Sequence, residues 1–234
     1  MAGKLYLIPV PIGTGDIAWI LPMAVQQCVG EISHFIVEHP KTARQFLRQI
    51  NSKFSLQDLK MWTLNEHTAD NDLQGLLGPL LAGHDMGLLS EAGCPAVADP
   101  GSGLIRLAHK NAISVIPLVG PSSILLALIA SGLNGQRFAF HGYLPIENSA
   151  RARKITELEK VSISQDQTQI FIETPYRNQK LLEQLVTTCS DNTDLCIASN
   201  LTTSDEKVAT KSIKEWRISL PDINRLPTIF LLHA

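Results

Sequence analysis

Short apolar segments alternate with longer stretches of helical periodicity along this chain, and this alternation most constrains its fold. Five segments of strand length occur in the first half, at residues 5–8, 35–37, 61–64, 86–89 and 113–116. Helical patterns separate them, at residues 17–29, 42–50, 73–81 and 104–110. Buried strands joined by helices are typical of α/β proteins with a largely parallel sheet. The first half is therefore predicted to be an α/β domain.

The second half of the chain is also predicted to contain both strands and helices, with different distances between them along the sequence. Strands are predicted at 138–140, 170–172, 195–198 and 229–232, with helices at 151–161 and 179–186. Residues 202–217 mix polar turns with single apolar residues and favour hairpin structure. Pro117, Gly120 and Pro121 interrupt the chain between the halves. The predicted domains are residues 1–117 and 118–234.

Composition excludes several classes of protein. Apolar residues make up 44% and charged residues 18% of the 234 residues, which argues against a disordered chain. The 20 basic and 22 acidic residues leave a net charge of −2, without the basic excess of a dedicated nucleic-acid binder. These totals do not exclude a local basic patch on the surface. No apolar stretch reaches the length of a membrane span, and no signal peptide is recognisable, so we expect a cytoplasmic protein.

The four cysteines do not form a metal or disulfide pattern. They contain no CxxC pair and no histidine at zinc-binding spacing, so free thiols and no metal site are expected. They are Cys28, Cys94, Cys189 and Cys196.

A motif after the first strand imitates a dinucleotide-binding fingerprint. Gly13-Thr-Gly15-Asp-Ile-Ala18 has the GxGxxA spacing, and an acidic residue, Glu38, closes the second strand. However, two prolines separate the strand from the glycines, and Asp16 would repel a pyrophosphate at the helix start. The alternative is a turn in which Asp16 caps the next helix, and we favour it.

The densest chemical signal is the segment at residues 87–101, Gly-Leu-Leu-Ser-Glu-Ala-Gly-Cys-Pro-Ala-Val-Ala-Asp-Pro-Gly. A buried strand ends at Ser90, and a loop rich in Gly and Pro follows before the next helix. Such a loop at the carboxyl end of a strand presents backbone N–H and C=O groups to a ligand. The alternative is a structural crossover in which Asp99 caps the following helix.

A second Gly-Pro loop, Leu118-Val-Gly-Pro-Ser-Ser123, follows the last strand of the first half. Ser122 or Ser123 would cap the next helix. Its free N–H groups would face the same end of the sheet as the first loop. Two converging loops of this kind favour a binding site.

Five segments together resemble the tetrapyrrole (corrin/porphyrin) methylase superfamily over nearly the whole chain. They are Leu5-Tyr-Leu-Ile-Pro-Val-Pro-Ile-Gly13, residues 87–101, Ile116-Pro-Leu-Val-Gly-Pro-Ser122, Arg137-Phe with Gly142-Tyr-Leu-Pro145, and Phe171-Ile-Glu-Thr with Arg177. The chain is most similar to the branch that 2′-O-methylates a cytidine of small-subunit ribosomal RNA. The resemblance implies two α/β domains, a homodimer, and S-adenosylmethionine held in a cleft between the domains.

The resemblance also implies which residues contact the cofactor. They come from the Pro-rich first loop, the loop after Ser90, the second Gly-Pro loop and, in the C-terminal domain, a residue beside the adenine. In chain order they are Pro11, Ser90, Glu91, Gly93, Cys94, Ser122, Ser123 and Leu201. Among these residues, Glu91 and Cys94 differ from the family pattern, which usually has Asp and Thr at these positions.

Glu173 and Arg177 are the candidate catalytic pair. Glu173 follows a strand and matches the family's Glu-Ser/Thr pair, and a carboxylate can accept the proton that a ribose hydroxyl loses on methylation. The alternative is a structural ion pair between the two residues, four positions apart.

Three functions remain open from the sequence. The first is an S-adenosylmethionine-dependent methyltransferase acting on RNA, which the loops favour and the near-neutral charge disfavours. The second is a methyltransferase of the same fold acting on a small molecule such as a tetrapyrrole. The third is a paralogue that binds the cofactor without turnover.

Overall fold

The computed structural model describes residues 2–65 and 67–234 of the chain. The chain divides into two compact units, Met1–Ser122 and Ser123–Ala234, which we call unit 1 and unit 2. The boundary expected at residues 117–118 falls shortly before this division. Each unit is described by itself below.

Unit 1 is built on a five-stranded parallel sheet with the strand order β3-β2-β4-β1-β5. Its strands are β1 (Leu5–Ile8), β2 (His34–Val37), β3 (Lys60–Thr63), β4 (Met86–Leu89) and β5 (Val115–Pro117). Its helices are α1 (Ile17–Ile20), α2 (Met23–Gly30), α3 (Pro40–Leu47), α4 (Asp70–Leu76), α5 (Gly78–Leu81) and α6 (Ser102–Lys110). The predicted parallel α/β architecture is confirmed.

Both faces of this sheet are covered by apolar side chains. Phe35 and Leu89 belong to one buried cluster, whereas their chain neighbours Ile36 and Leu88 belong to another. Successive side chains of a strand point to opposite faces, so the two clusters lie on the two sides of the sheet. Burial on both faces explains why these strands read as continuous apolar runs in the sequence.

The predicted helix at residues 17–29 is wrong in one respect, because it is two helices. The chain leaves helical geometry at Leu21, which has an extended backbone (φ −116°, ψ 128°), and α2 starts after Pro22. A proline disfavours helical geometry in the residue before it, which accounts for the break. Residues 73–81 are similarly divided between α4 and α5, with Pro79 in the first turn of α5.

Unit 2 is a five-stranded mixed sheet with the order β6-β7-β10-β8-β9. Its strands are β6 (Phe138–Tyr143), β7 (Thr168–Ile172), β8 (Asp194–Ser199), β9 (Lys207–Ser212) and β10 (Thr228–His233). Its helices are α7 (Ser123–Ser131), α8 (Asn148–Gln165), α9 (Asn178–Thr188) and α10 (Ile213–Trp216), with a 3₁₀ turn at Pro175–Arg177. The hairpin expected within residues 202–217 is wrong, because that segment contains one strand, β9, which pairs antiparallel with the earlier strand β8, and the short helix α10 follows it.

The strand directions in unit 2 determine where its loops meet. β10 is antiparallel to both β7 and β8, and β6 is parallel to β7. β6, β7 and β8 therefore end at the same edge of the sheet. The core beneath includes the stacked rings of Phe171 and Phe230, 6.0 Å apart, and Trp216, whose Nε1 donates to the Leu195 carbonyl at 2.8 Å.

Three expectations from composition concern single chemical features. All four cysteines are free thiols. Within residues 2–65 and 67–234, no three His, Cys, Asp or Glu side chains are grouped as metal ligands. Over the same residues, no helix is both long and apolar enough to cross a bilayer.

Candidate functional site

The centre of the unit 1 sheet contains a topological switch point. β1 and β4 are neighbours, but the chain leaves β1 toward β2 on one side and leaves β4 toward β5 on the other. Each connection therefore crosses the neighbouring strand, and the two following loops lie side by side at the carboxyl ends of the strands, where ligands of open α/β sheets bind. These are the first loop, beginning at Pro9, and the loop at 90–101.

Backbone hydrogen bonds tie the two loops together beyond the sheet. The Val10 N–H donates to the Gly93 carbonyl at 2.9 Å, and the Gly93 N–H donates to the Val10 carbonyl at 3.0 Å. The buried Ser90 hydroxyl donates to the same Gly93 carbonyl at 3.1 Å and closes the turn. Ser90 therefore shapes the loop from within.

Gly93 holds a backbone conformation that the sequence did not reveal. Its φ is +73°, in the left-handed region, and a Cβ there would lie 3.4 Å from Ile12 Cγ2 and 3.7 Å from the Pro121 carbonyl. Ala96 (φ 64°) and Ala98 (φ 59°) adopt left-handed geometry as well, which is costly for residues with a side chain. Strain of this kind concentrates at functional loops, where the surrounding structure maintains it.

The loop after β5 joins the same edge of unit 1. The Cys94 thiol donates to the Pro121 carbonyl at 3.4 Å, and burial raises the pKa of this thiol, so it remains a neutral donor. Gly120 packs directly on Pro9, since a Cβ on Gly120 would come within 2.5 Å of the proline ring. Three loops therefore converge, as the two Gly-Pro motifs predicted.

A cavity of about 320 Å³ opens between the first loop, the loop at 90–101 and α3. Its volume is at the lower end of the range for small-molecule sites, about 300–1,000 Å³. Three of the predicted cofactor residues, Pro11, Ser90 and Glu91, line it. The other lining residues are Val10, Gly13, Thr14, Thr42, Ala43, Gln45, Phe46 and Gln49.

Sequence analysis missed the contribution of α3. The Thr42 hydroxyl lies 2.8 Å from Glu91 Oε1, and His39 Nδ1 lies 3.4 Å from the same oxygen. α3 begins directly after β2, and its start at the end of a predicted strand was the available signal in the sequence; that β2 lies two strands from β1 is known only from the structure. These contacts hold Glu91 at the rim of the cavity.

The edge around Glu91 is acidic. Asp99 is half-buried, and burial, followed by repulsion from Glu38 and Glu91, raises its pKa from 3.8 to about 6. The expected helix cap is wrong, because Gly101 is the N-cap of α6 and no side chain caps it. Asp99 instead adds to a negative field that favours a bound cation.

The segment with Gly13 and Gly15 is the turn before a helix capped by Asp16, which is the alternative favoured from the sequence. The Asp16 carboxylate accepts from the Ala18 N–H at 2.9 Å and caps α1, a helix of four residues. Its charge occupies the position that a pyrophosphate would need.

Glu173 and Arg177 form an ion pair at the carboxyl edge of the unit 2 sheet. Glu173 Oε1 accepts from Arg177 Nη2 and from the Thr174 N–H, both at 2.6 Å, and the Glu173 side chain is 1% exposed. The hydrogen bond to Glu173 raises the pKa of the Arg177 guanidinium. The pairing that the sequence left as an alternative is present, with the carboxylate fully buried.

Unsatisfied polar atoms gather at this edge. In the described part of the chain, four buried side-chain atoms have no hydrogen-bond partner: Glu173 Oε2, Arg177 Nε, Asn178 Oδ1 and Thr202 Oγ1. Buried polar groups are nearly always paired, so these four atoms are free to bond a ligand or a water molecule. Sequence analysis did not find Asn178 and Thr202.

Leu201 lies in the loop after β8, at the same edge as Glu173. It is 8% exposed and is flanked by two left-handed residues, Asn200 (φ 53°) and Thr202 (φ 68°). Asn200 N–H donates to the Pro227 carbonyl at 2.9 Å, and Asn178 Nδ2 donates to the Leu226 carbonyl at 2.6 Å. The segment before β10 therefore connects the loops after β7 and β8.

The two remaining predicted residues are at the division between the units. Ser122 ends unit 1 directly after Pro121, and Ser123 is the first residue of α7 in unit 2. Unit 1 therefore holds Pro11, Ser90, Glu91, Gly93, Cys94 and Ser122 at one edge of its sheet, and unit 2 holds Glu173, Arg177 and Leu201 at one edge of its own.

Comparison with known proteins identifies the family. A family model described as Tetrapyrrole (Corrin/Porphyrin) Methylases matches residues 4–216. The chain belongs to the tetrapyrrole methylase family. Methylases of this family use S-adenosylmethionine as methyl donor.

Relatives of this tetrapyrrole methylase include proteins named ribosomal RNA small subunit methyltransferase I. That of Vibrio cholerae is 31% identical over 98% of this chain and 77% of its own length. Those of Micromonospora olivasterospora and Escherichia coli O157:H7 are 33% and 30% identical over 88% of this chain. The match spans 62% and 68% of those two relatives.

Solved structures share the fold at low sequence identity. The methyltransferase CobJ has a TM-score of 0.66 at 15% identity and covers 99% of this chain and 94% of its own. The cobalt precorrin-4 methyltransferase CbiF has a TM-score of 0.62 at 15% identity, with 98% and 94% coverage. These likenesses establish the methylase fold.

The raised pKa of Asp99 predicts how the stability of the folded protein changes with pH. Because the pKa of Asp99 is higher in the folded protein than in the unfolded chain, ionisation of Asp99 destabilises the fold as pH rises through about 6. Asp99→Asn should therefore be more stable than the parent protein at about pH 7, and this difference should vanish below about pH 4. Denaturant unfolding at both pH values measures it.

Asp205→Asn, at an exposed position, is the control. An Asp99→Asn variant no more stable than the parent near neutral pH, relative to this control, would show that Asp99 is not under electrostatic stress.

Proposed function

We propose that this protein is a cytoplasmic S-adenosylmethionine-dependent methyltransferase that modifies small-subunit ribosomal RNA, at a ribose 2′-hydroxyl. The observation that carries the proposal is the convergence of the Pro-rich first loop and the two Gly-Pro loops at the β1–β4 switch point of a chain in the methylase family. The relatives at 30–33% identity, all named for ribosomal RNA methylation, support the RNA substrate.

The residues of unit 1 fit a cationic cofactor. Pro11, Ser90 and Glu91 would contact it at the cavity, with Gly93, Cys94 and Ser122 in the loops around it. When bound, S-adenosylmethionine supplies an activated methyl group on a sulfonium. The negative field of Glu91 and Asp99 would stabilise that positive charge, and a structured loop would exclude water.

Glu173 and Arg177 would serve the methyl acceptor. Glu173 Oε2 is a buried acceptor without a partner, so a substrate hydroxyl that reached it would gain a hydrogen bond and a place for its proton. Arg177 holds the other carboxylate oxygen and fixes the orientation of the carboxylate. Asn178 and Thr202 offer further unpaired oxygens for the same substrate.

Methylation of a tetrapyrrole is the second candidate function. The fold of CobJ and CbiF supports it, but at 15% identity that likeness extends to the fold alone. Labelled methyl transfer from S-adenosylmethionine separates the candidates when small-subunit ribosomal RNA and a precorrin are offered in parallel. Cofactor binding without transfer to either would indicate a paralogue that has lost turnover.

We expect Gly93→Val to weaken S-adenosylmethionine binding at least about tenfold, because the side chain would enter the gap where the three loops meet. Gly132→Val is a matched control, since Gly132 also has φ +73° but no atom within 4 Å of its added Cβ. Both variants carry the same backbone strain. Calorimetric titration with melting curves measures the difference, and equal affinity in the two would refute the loop site.

Glu173→Gln should leave cofactor affinity intact and lower the rate of methyl transfer to RNA by at least about 100-fold, because an amide cannot accept the proton. Glu159→Gln is the control, since Glu159 is another buried carboxylate, bonded at 2.7 Å to the Ser190 N–H and at 2.5 Å to the Thr193 hydroxyl. It should cost stability without reducing transfer per folded molecule. Equal transfer rates in the two variants would leave Glu173 a structural residue.

We also propose that the protein is a homodimer. α7 is apolar throughout and leaves Leu125 and Ile129 53% and 78% exposed. Ile129→Asp should shift sedimentation toward the monomer, whereas Ile218→Asp, at an 83% exposed position outside the strands and helices, should not. A parent protein that sediments as a monomer would refute the proposal.

A further inference from the structure

Helices α8 and α9 of unit 2 border a groove of about 480 Å³ that the proposed cofactor and acceptor sites do not use. We call it the α8–α9 groove. Its lining is polar throughout and consists of Asn148, Arg151, Lys180, Glu183, Gln184 and Thr187.

Arg151 is a buried cation without an anionic partner. It is 4% exposed, and its guanidinium donates to Gln184 Oε1, to Asn148 Oδ1 at 2.7 Å and to the Ile146 carbonyl at 3.5 Å. All three acceptors are neutral. The ion pairs found in residues 2–65 and 67–234 do not include Arg151.

Neutral oxygens satisfy the N–H groups of a guanidinium but do not neutralise its charge. Buried charges are ordinarily paired, because removing a charge from water is costly. A guanidinium that lines a groove is therefore suited to an oxyanion, with which it forms charge-assisted hydrogen bonds.

Lys180 places a second cation in the α8–α9 groove. Its side chain is exposed, and the same set of ion pairs does not include it. Two acidic residues oppose these cations. Glu183 lines the groove, and Glu147 caps α8, where hydrogen bonds from Ser149 and Ala150 lower its pKa to about 2 and hold it ionised.

We infer that the α8–α9 groove binds a phosphate group, with Arg151 and Lys180 as its cationic ligands. The source of the phosphate is the backbone of the RNA substrate, and this part of the inference rests on the proposed function. Such a contact orients RNA without reading its sequence. It gives a chain whose net charge is −2 one local pair of cations for a phosphate, although Glu183 and Glu147 lie nearby.

The test measures binding of labelled oligouridylate to the full chain by fluorescence anisotropy over a range of salt concentrations. Lys180→Gln should raise the dissociation constant about threefold or more at low salt and reduce the slope of log K against log salt by about 0.7. Glu183→Gln removes a repulsive charge from the same groove and should tighten binding about twofold. Substitutions that acted only by disturbing the fold would not change RNA affinity in opposite directions at these two positions.

Lys160→Gln is the control for a general loss of positive charge, because Lys160 is an exposed residue of α8 in a separate groove. Arg151→Lys retains the positive charge but loses the planar fork of the guanidinium, so it should weaken RNA binding. A melting curve of this variant checks that it is folded. If Lys180→Gln weakens binding no more than Lys160→Gln does, the inference is overturned.

Two further arms separate the possible failures. Inorganic phosphate that displaced the RNA at millimolar concentration, and did so equally in the parent and in Lys180→Gln, would contradict the groove as the phosphate site. Cofactor binding and methyl transfer are measured on the same variants. A parent protein that binds RNA through the groove but does not methylate it would refute the proposed function and leave the groove intact.

Discussion

The antiparallel contact between Val10 and Gly93 is the interaction on which unit 1 depends for its site. β1 and β4 are neighbours whose connections run in opposite directions across the sheet, and the sheet itself does not join the loops that follow them. Two reciprocal backbone hydrogen bonds rejoin them just beyond the sheet. The left-handed backbone of Gly93 makes this return possible, and the Cys94 thiol extends the connection to the loop after β5.

Unit 2 organises its chemistry around a buried ion pair. Glu173 is inaccessible to solvent, and Arg177 neutralises one of its oxygens while the other remains unpaired. Burying a carboxylate is tolerated when it is paired and hydrogen-bonded, and an incompletely satisfied one is costly. The unpaired oxygens at this edge, together with the left-handed Asn200 and Thr202, mark a site in which strain and unsatisfied polarity are concentrated.

Charge is distributed unevenly on a chain whose totals nearly cancel. Glu91 lines the cavity of unit 1 and Asp99 lies close enough to be repelled by it, so the two carboxylates favour a cation there. Arg151 and Lys180 lie in the α8–α9 groove, where they favour an anion. A methyltransferase that combines a sulfonium cofactor with an RNA substrate requires both kinds of surface. The net charge of −2 gave no indication of either.

The amino-acid sequence by itself determined the strands, the parallel α/β class of unit 1, the Gly-Pro loops and the family. Each of these depends on neighbours along the chain: short apolar runs, fixed proline geometry and the tolerance of glycine for positive φ. Only the tertiary structure decided that Thr42 meets Glu91, that Asp99 shares the field of Glu38, and that Arg151 is buried. Periodicity predicts which face of an element is buried but not which elements become neighbours, because strand order follows from packing of the whole sheet.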